Sequence, residues 1–163
     1  MELSRRHFLR LGMWTGAVAL VIGGPAAWAQ SDEAAVLDAL ADRLFAEADD
    51  TTSPMPRPSS FGAGARAWAY TSHLPGAARW QVRGLLRLVE WGGVASGGAR
   101  FTRLAPAQQD LLLDRLAAGG RGGRLALGAL KQLCAMGTFT HSQTWAAIGY
   151  DGPRLPPAPV TAP

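Results

Sequence analysis

The sequence predicts an all-α protein: one small bundle of five or six helices behind a cleaved signal peptide. Three observations carry this reading. Beyond residue 29 the apolar residues recur at spacings of three and four, with almost none of the strict alternation that marks a strand. Glycine and proline fall between the periodic stretches, where helices start and stop. Removing residues 1–29 from the 163 leaves 134, enough for one domain with its own core and too few for two.

The leader occupies the N-terminus. "SRRHFLRLG", Ser4 to Gly12, pairs Arg5 with Arg6 and follows them with Phe8 and Leu9, the pattern of a twin-arginine export signal. Arg10 extends the basic region, "LGMWTGAVALVIGG" is apolar, and Ala27 and Ala29 are the small residues of a cleavage site, so the mature chain should begin near Gln30. The apolar run is well short of the roughly 20 residues that cross a bilayer as a helix, so no permanent membrane span is expected. Such a signal sends a folded protein through the twin-arginine translocase to the periplasm. Folded export is usually needed when a cofactor is inserted beforehand.

Ser31 is the expected N-cap of the first helix, with Asp32 and Glu33 in the first turn and Leu37, Leu40, Leu44 and Ala48 on its apolar face; it should end near Asp49. "DDTTSPMPRPSS" is aperiodic and proline-rich, hence a connector. A second helical pattern spans about Ala63 to Leu74, breaks at Pro75-Gly76, and resumes through "AARWQVRGLLRLVEW" to end at Gly92-Gly93. "PAQQDLLLDRLAA" has Pro106 at its first helical position and Gly119 just past its end. "GGRGG" reads as a flexible turn before "RLALGALKQLCAM", and a short helix around "SQTWAAI" is closed by Gly149. The expected organisation is a leader over 1–29, a helical domain over 30–150, and a proline-rich extended tail over 151–163.

Composition removes several functions. The pI of about 10.2 suggests nucleic acid, but taking away Arg5, Arg6, Arg10 and Glu2 with the leader lowers the formal charge from +4 to +2, and the remaining basic residues form no cluster that would track a phosphate backbone. The mature chain has two histidines, His73 and His141, and one cysteine, Cys134, with no HExxH, CxxC, CxxCH or EF-hand spacing. "GGRGGR" follows a helix and lacks the Lys-Ser/Thr ending of a P-loop. A GxSxG elbow is absent, and both histidines read as solvated or capping side chains. Neither an enzyme nor a cofactor site on this chain is expected.

The C-terminal third carries a resemblance. "LAPAQQDLLLDRL" and "LKQLCAMGTFTHSQTWAAIGYDGP" resemble the small subunits of periplasmic flavin dehydrogenases, the gluconate 2-dehydrogenase subunit 3 family. The matching residues are Leu104 and Pro106, Leu111 to Leu116, Leu130 to Leu133, Phe139, Trp145, and Gly149-Tyr150-Asp151-Gly152-Pro153. Two departures are Ala105, where Ser or Thr is the usual cap at a difference of about 1 kcal/mol, and "TFTHSQ" in place of a tyrosine-aspartate-proline turn. The resemblance implies a subunit without a prosthetic group, bound to a large FAD-containing dehydrogenase of the glucose-methanol-choline type, with a cytochrome c subunit as a further candidate partner. The cofactor would then cross the membrane on the partner, and this chain would be its escort. Alternatives outside that class are a metallochaperone and a free-standing periplasmic enzyme.

Three places are candidates for partner contact. A helical wheel puts Val82, Leu85, Leu86 and Val89 on one face of the third helix, and Trp80, Gly84, Arg87 and Trp91 nearly opposite. That second line either packs inside the bundle or meets a partner, where Trp and Arg are enriched. Trp145 and Tyr150 pose the same choice, since a left-handed Gly149 would fold Tyr150 back onto the last helix. Cys134 shares a stripe with Leu127 and Leu130 and is either a buried thiol or a candidate intersubunit disulfide.

Overall fold

The computed structural model describes residues 32–45 and 55–152. Among them are six α-helices and no strand. The leader residues Arg5, Arg6, Phe8, Leu9, Ala27 and Ala29, and the tail from Pro153, lie outside the described residues.

Helix α1 (Glu33–Phe45) starts where Asp32 Oδ1 accepts the N–H groups of Ala34 and Ala35 at 3.0 and 3.2 Å. Asp32 thus caps this turn; Ser31, the expected cap, and the expected helix end near Asp49 lie outside the described residues. The helix buries Val36, Leu37, Leu40 and Ala41, and its polar edge organises the next two segments. Asp42 accepts the backbone N–H of Ser59 at 2.9 Å and its hydroxyl at 2.6 Å, fixing a 3-10 turn at Pro58–Phe61. One turn earlier, Asp38 Oδ1 accepts the N–H of Gly64 at 2.6 Å in the first turn of α2 (Ala63–Tyr70). Two carboxylates four residues apart thus supply the acceptors that the start of each segment lacks.

Glycines let α2 wedge between α1 and α5 (Gly120–Phe139). A Cβ on Gly64 would strike the Ala34 carbonyl oxygen and come within 2.6 Å of the Asp38 nitrogen. On the other side, a Cβ on Gly137 would strike the Ala63 carbonyl oxygen and come within 2.8 Å of Ala67 Cβ. Backbone contact this close leaves no void for water and holds α2 from both flanks.

Helix α3 (Gly76–Gly97) lays Leu86 and Val89 into the core, with Val82 and Leu85 partly buried beside them, as the wheel predicts. It runs past Gly92-Gly93 and ends at left-handed Gly98. Gly93 instead makes room: a Cβ there would lie 2.6 Å from the Phe101 nitrogen. That approach seats Phe101 at 0 % exposure in a 3-10 turn (Phe101–Arg103). Buried Glu90 accepts the Thr102 N–H and hydroxyl at 3.1 and 2.9 Å, and Gln109 donates to the Phe101 carbonyl at 2.8 Å.

Helix α4 (Pro106–Ala118) begins at Ala105, which has no side-chain acceptor, yet Gln108 Oε1 accepts the Ala105 N–H at 3.3 Å. Half of a capping box survives the missing hydroxyl. Arg43 of α1 binds Asp110 of α4 through both carboxylate oxygens, with Nε to Oδ1 at 2.9 Å. The expected turn "GGRGG" contracts to Gly119 and left-handed Gly120, and Arg121-Gly122-Gly123 are already the first turn of α5. Gly123 faces the Leu116 carbonyl so closely that a Cβ would strike it. The last helix, α6 (Ser142–Ala147), is capped by His141 Nδ1, which accepts the Gln143 N–H at 3.3 Å.

Candidate partner-binding site

The tryptophan line of α3 divides in two. Trp80 stands 68 % exposed, and the space beside Gly84 is open enough that a Cβ there would touch nothing within 4 Å. Trp91, by contrast, is half-buried with the Arg100 guanidinium 4.8 Å above its ring; its Nε1 is buried and finds no acceptor among the described residues. Arg87 is half-buried between them. The two ends of one helical line therefore have opposite environments.

Around Trp80 the structure assembles residues that a single-helix wheel does not connect. Trp68 projects from α2, and the guanidiniums of Arg79 and Arg83 sit over its ring at 5.1 and 5.3 Å. Arg83 also lies 5.8 Å from the Trp80 ring centre, so it is shared by two indoles. Its Nε is 2.8 Å from Glu33 Oε1, which links the ladder to the first turn of α1. Stacking of this kind fixes a guanidinium plane and leaves its edge available for further hydrogen bonds. Sequence reasoning misses Trp68, Arg79 and Arg83 because they meet across two helices. The available signal is the i, i+4 pair Arg79 and Arg83 on either side of Trp80.

Trp145 and Tyr150 form a closed arrangement. The Trp145 indole N–H donates to the Phe139 carbonyl at 2.7 Å, and Tyr150 packs edge-on against it at 5.8 Å. Gly149 has the left-handed φ of 68° expected of it, and the Tyr150 N–H returns to the Trp145 carbonyl at 2.8 Å. Left-handed Gly152 adjoins the same ring: a Cβ there would meet it at 3.2 Å. Phe61 stacks on His141 at 4.7 Å beside this clasp. Tyr150 itself is 48 % exposed, so its outer edge remains available.

Cys134 is 1 % exposed, and its thiol faces the Leu37 carbonyl at 3.8 Å. Burial, with a smaller contribution from the Asp38 carboxylate, pushes the thiol pKa up to about 12. A disulfide to another subunit would require α1 and α5 to part. The thiol is correspondingly expected to react with a thiol reagent only after denaturation; rapid labelling of the folded chain would contradict the packing. Among the described residues no three His, Cys, Asp or Glu side chains converge as metal ligands, and no helix is long and apolar enough to cross a membrane. The carboxylates of Asp38, Asp42, Glu90 and Asp110 are engaged in caps and the α1–α4 ion pair.

A helical domain whose polar side chains mostly bind its own backbone, and whose arginine-tryptophan ladder faces outward, has the make-up of a protein-binding subunit. The chain belongs to the gluconate 2-dehydrogenase subunit 3 family, whose model matches residues 31–152. The match takes in α1 to α3 as well as the C-terminal segments that carry the resemblance in sequence. It is thus a subunit of a dehydrogenase complex. Comparison with curated proteins and with solved structures finds no match.

Proposed function

We propose that this chain is a non-catalytic small subunit that binds a large FAD-containing dehydrogenase acting on a sugar or other alcohol, and escorts it to the periplasm by the twin-arginine route. The family match over residues 31–152 carries the reading. The Arg5-Arg6 leader and the outward Trp80 corner support it. On this reading FAD resides on the partner, the leader serves the whole complex, and electrons pass to a carrier outside this chain, with a cytochrome c subunit as candidate. The division of labour follows from the sequence chemistry: a domain with two histidines and one buried cysteine contributes surface rather than redox groups.

The test is localisation of the partner. Changing Arg5 and Arg6 together to lysine keeps the charge but removes the recognised pair. Both this chain and the dehydrogenase activity are then expected to stay in the cytoplasmic fraction. Undiminished periplasmic dehydrogenase activity would show that the flavoprotein travels on its own and that this chain is no escort.

A further inference from the structure

We infer that the ladder Trp68, Arg79, Arg83 and Trp80 is the docking surface for a carboxylate-bearing segment of the flavin-carrying large subunit, which rests on the function proposed above. The ladder is basic and only partly neutralised. Arg83 has Glu33 at 2.8 Å, whereas the ion pairs and hydrogen bonds that engage Asp38, Asp42, Glu90 and Asp110 lie elsewhere. Arg79 is exposed and stacked on Trp68, so its position is fixed before any partner arrives. Trp80 adds a large apolar surface at 68 % exposure. Preformed guanidinium edges beside an exposed indole fit an acidic segment that also offers an apolar side chain.

The chain's own segments are poorer occupants. Residues 1–31 join α1 beside the ladder at Asp32, but they carry Arg5, Arg6 and Arg10 against the single acid Glu2. Residues 153–163 contain Arg154 and no acid. The acidic residues Glu47, Asp49 and Asp50 follow Phe45 in sequence, and Phe45 is about 18 Å along α1 from Glu33 at 1.5 Å per residue. A second copy docked face to face would oppose arginine with arginine. A carboxylate from another polypeptide meets none of these objections.

Because Asp32 precedes Glu33, a partner on the ladder sits where the leader joins the domain.

The test uses the full chain and the flavoprotein that co-purifies with it. The double variant Arg79→Glu with Arg83→Glu is expected to raise Kd about 100-fold and to abolish its salt dependence. A matched reversal at exposed Arg121 and Arg124, at the start of α5, should stay within about 3-fold of wild type. Trp80→Ala, whose side chain is mostly in solvent, should raise Kd at least 10-fold with little change in melting temperature, and decides the matter if the double variant folds poorly. Wild-type affinity in both Trp80→Ala and the double reversal, with flavoprotein still bound, would overturn the docking assignment and leave the proposed function standing. If the effect of Arg79→Glu with Arg83→Glu on Kd vanishes once residues 1–29 are removed, the ladder holds the leader and not the flavoprotein, and the docking assignment is overturned as well. A wild-type chain that retains no flavin-bearing polypeptide would defeat the proposed function itself.

Discussion

Two tryptophans from different helices, Trp80 of α3 and Trp145 of α6, show how one residue type can meet two environments. Trp145 directs its indole N–H to the Phe139 carbonyl and is covered by Tyr150 and Gly152; Trp80 lies 68 % exposed, with Arg83 at its ring. The first is half-buried and has its polar handle satisfied by its own backbone. The second stands mostly in solvent beside a cation that Trp68 and Glu33 already hold in place. What separates the packed aromatic residue from the one proposed for recognition is where the polar groups around the ring are spent.

The largest expected effects lie on the closed side. Gly137 of α5 lies against the Ala63 carbonyl of α2, so Gly137→Val should cost about 3 kcal/mol or abolish folding, read by thermal or denaturant unfolding. A variant as stable as wild type would mean that α2 is not wedged as described. Trp145→Ala should cost about 3 kcal/mol, while Trp145→Phe, which keeps an aromatic ring but leaves the Phe139 carbonyl without its donor, should cost about 1 kcal/mol. Equal losses in the two variants would erase the distinction between the packing of the ring and its hydrogen bond.

On the open side the expected stability changes are smaller. Trp80→Ala should alter the isolated chain by less than about 0.5 kcal/mol, since a mostly solvated side chain has little burial to lose. A loss comparable to that of Trp145→Ala would make Trp80 a packing residue and remove the contrast. The smallest effect concerns Asp38, at the junction of α1 and α2. Burial raises its carboxyl above the ordinary 3.8, opposed by the Gly64 N–H and reinforced by Asp42 and Asp32. The unfolded chain therefore ionises first as pH rises, and this group's contribution to stability is lost as pH climbs from 3.8 through its folded value. Asp38→Asn retains an acceptor for Gly64, so it should gain on wild type between about pH 3 and pH 7 in denaturant unfolding. A variant that loses ground over that interval would reverse the sign.

Much of the helical framework can be read from the residues. The apolar faces of α1 and α3, Pro106 at the first turn of α4, left-handed Gly149 and the capping use of His141 all follow local rules that tertiary packing does not override. The boundaries that differ share one cause. Gly92-Gly93 and "GGRGG" read as helix breaks, yet Gly93 and Gly123 are where another backbone approaches too closely for a Cβ. A sequence shows that a position is glycine without showing whether conformational freedom or space is the reason. Asp32 accepts the first free N–H groups of α1, while Ser31, the expected cap, lies outside the described residues.

The candidate site is legible only in part. Trp80 is visible as one member of a line opposite the leucine face, but Trp91 on that line is half-covered, with Arg100 over its ring. The ladder's other members come from α2 and from adjacent registers of α3, and helix geometry within one segment cannot bring them together. Burial of Cys134 is one of two readings of its stripe, and the choice requires α1 to be seen lying over it, with Leu37 facing the thiol.

On the proposed function this chain recognises a flavoprotein and holds no flavin of its own. The most direct measurement of that claim is flavin content after the complex has been purified through a tag on this chain and its polypeptides then separated without denaturing the flavoprotein. The expected result is about one flavin for each copy of this chain in the complex, all of it recovered with the larger polypeptide and none with the small chain. Flavin that remains with the small chain after separation, or a small chain that purifies alone beside a fully assembled and exported dehydrogenase, would contradict it.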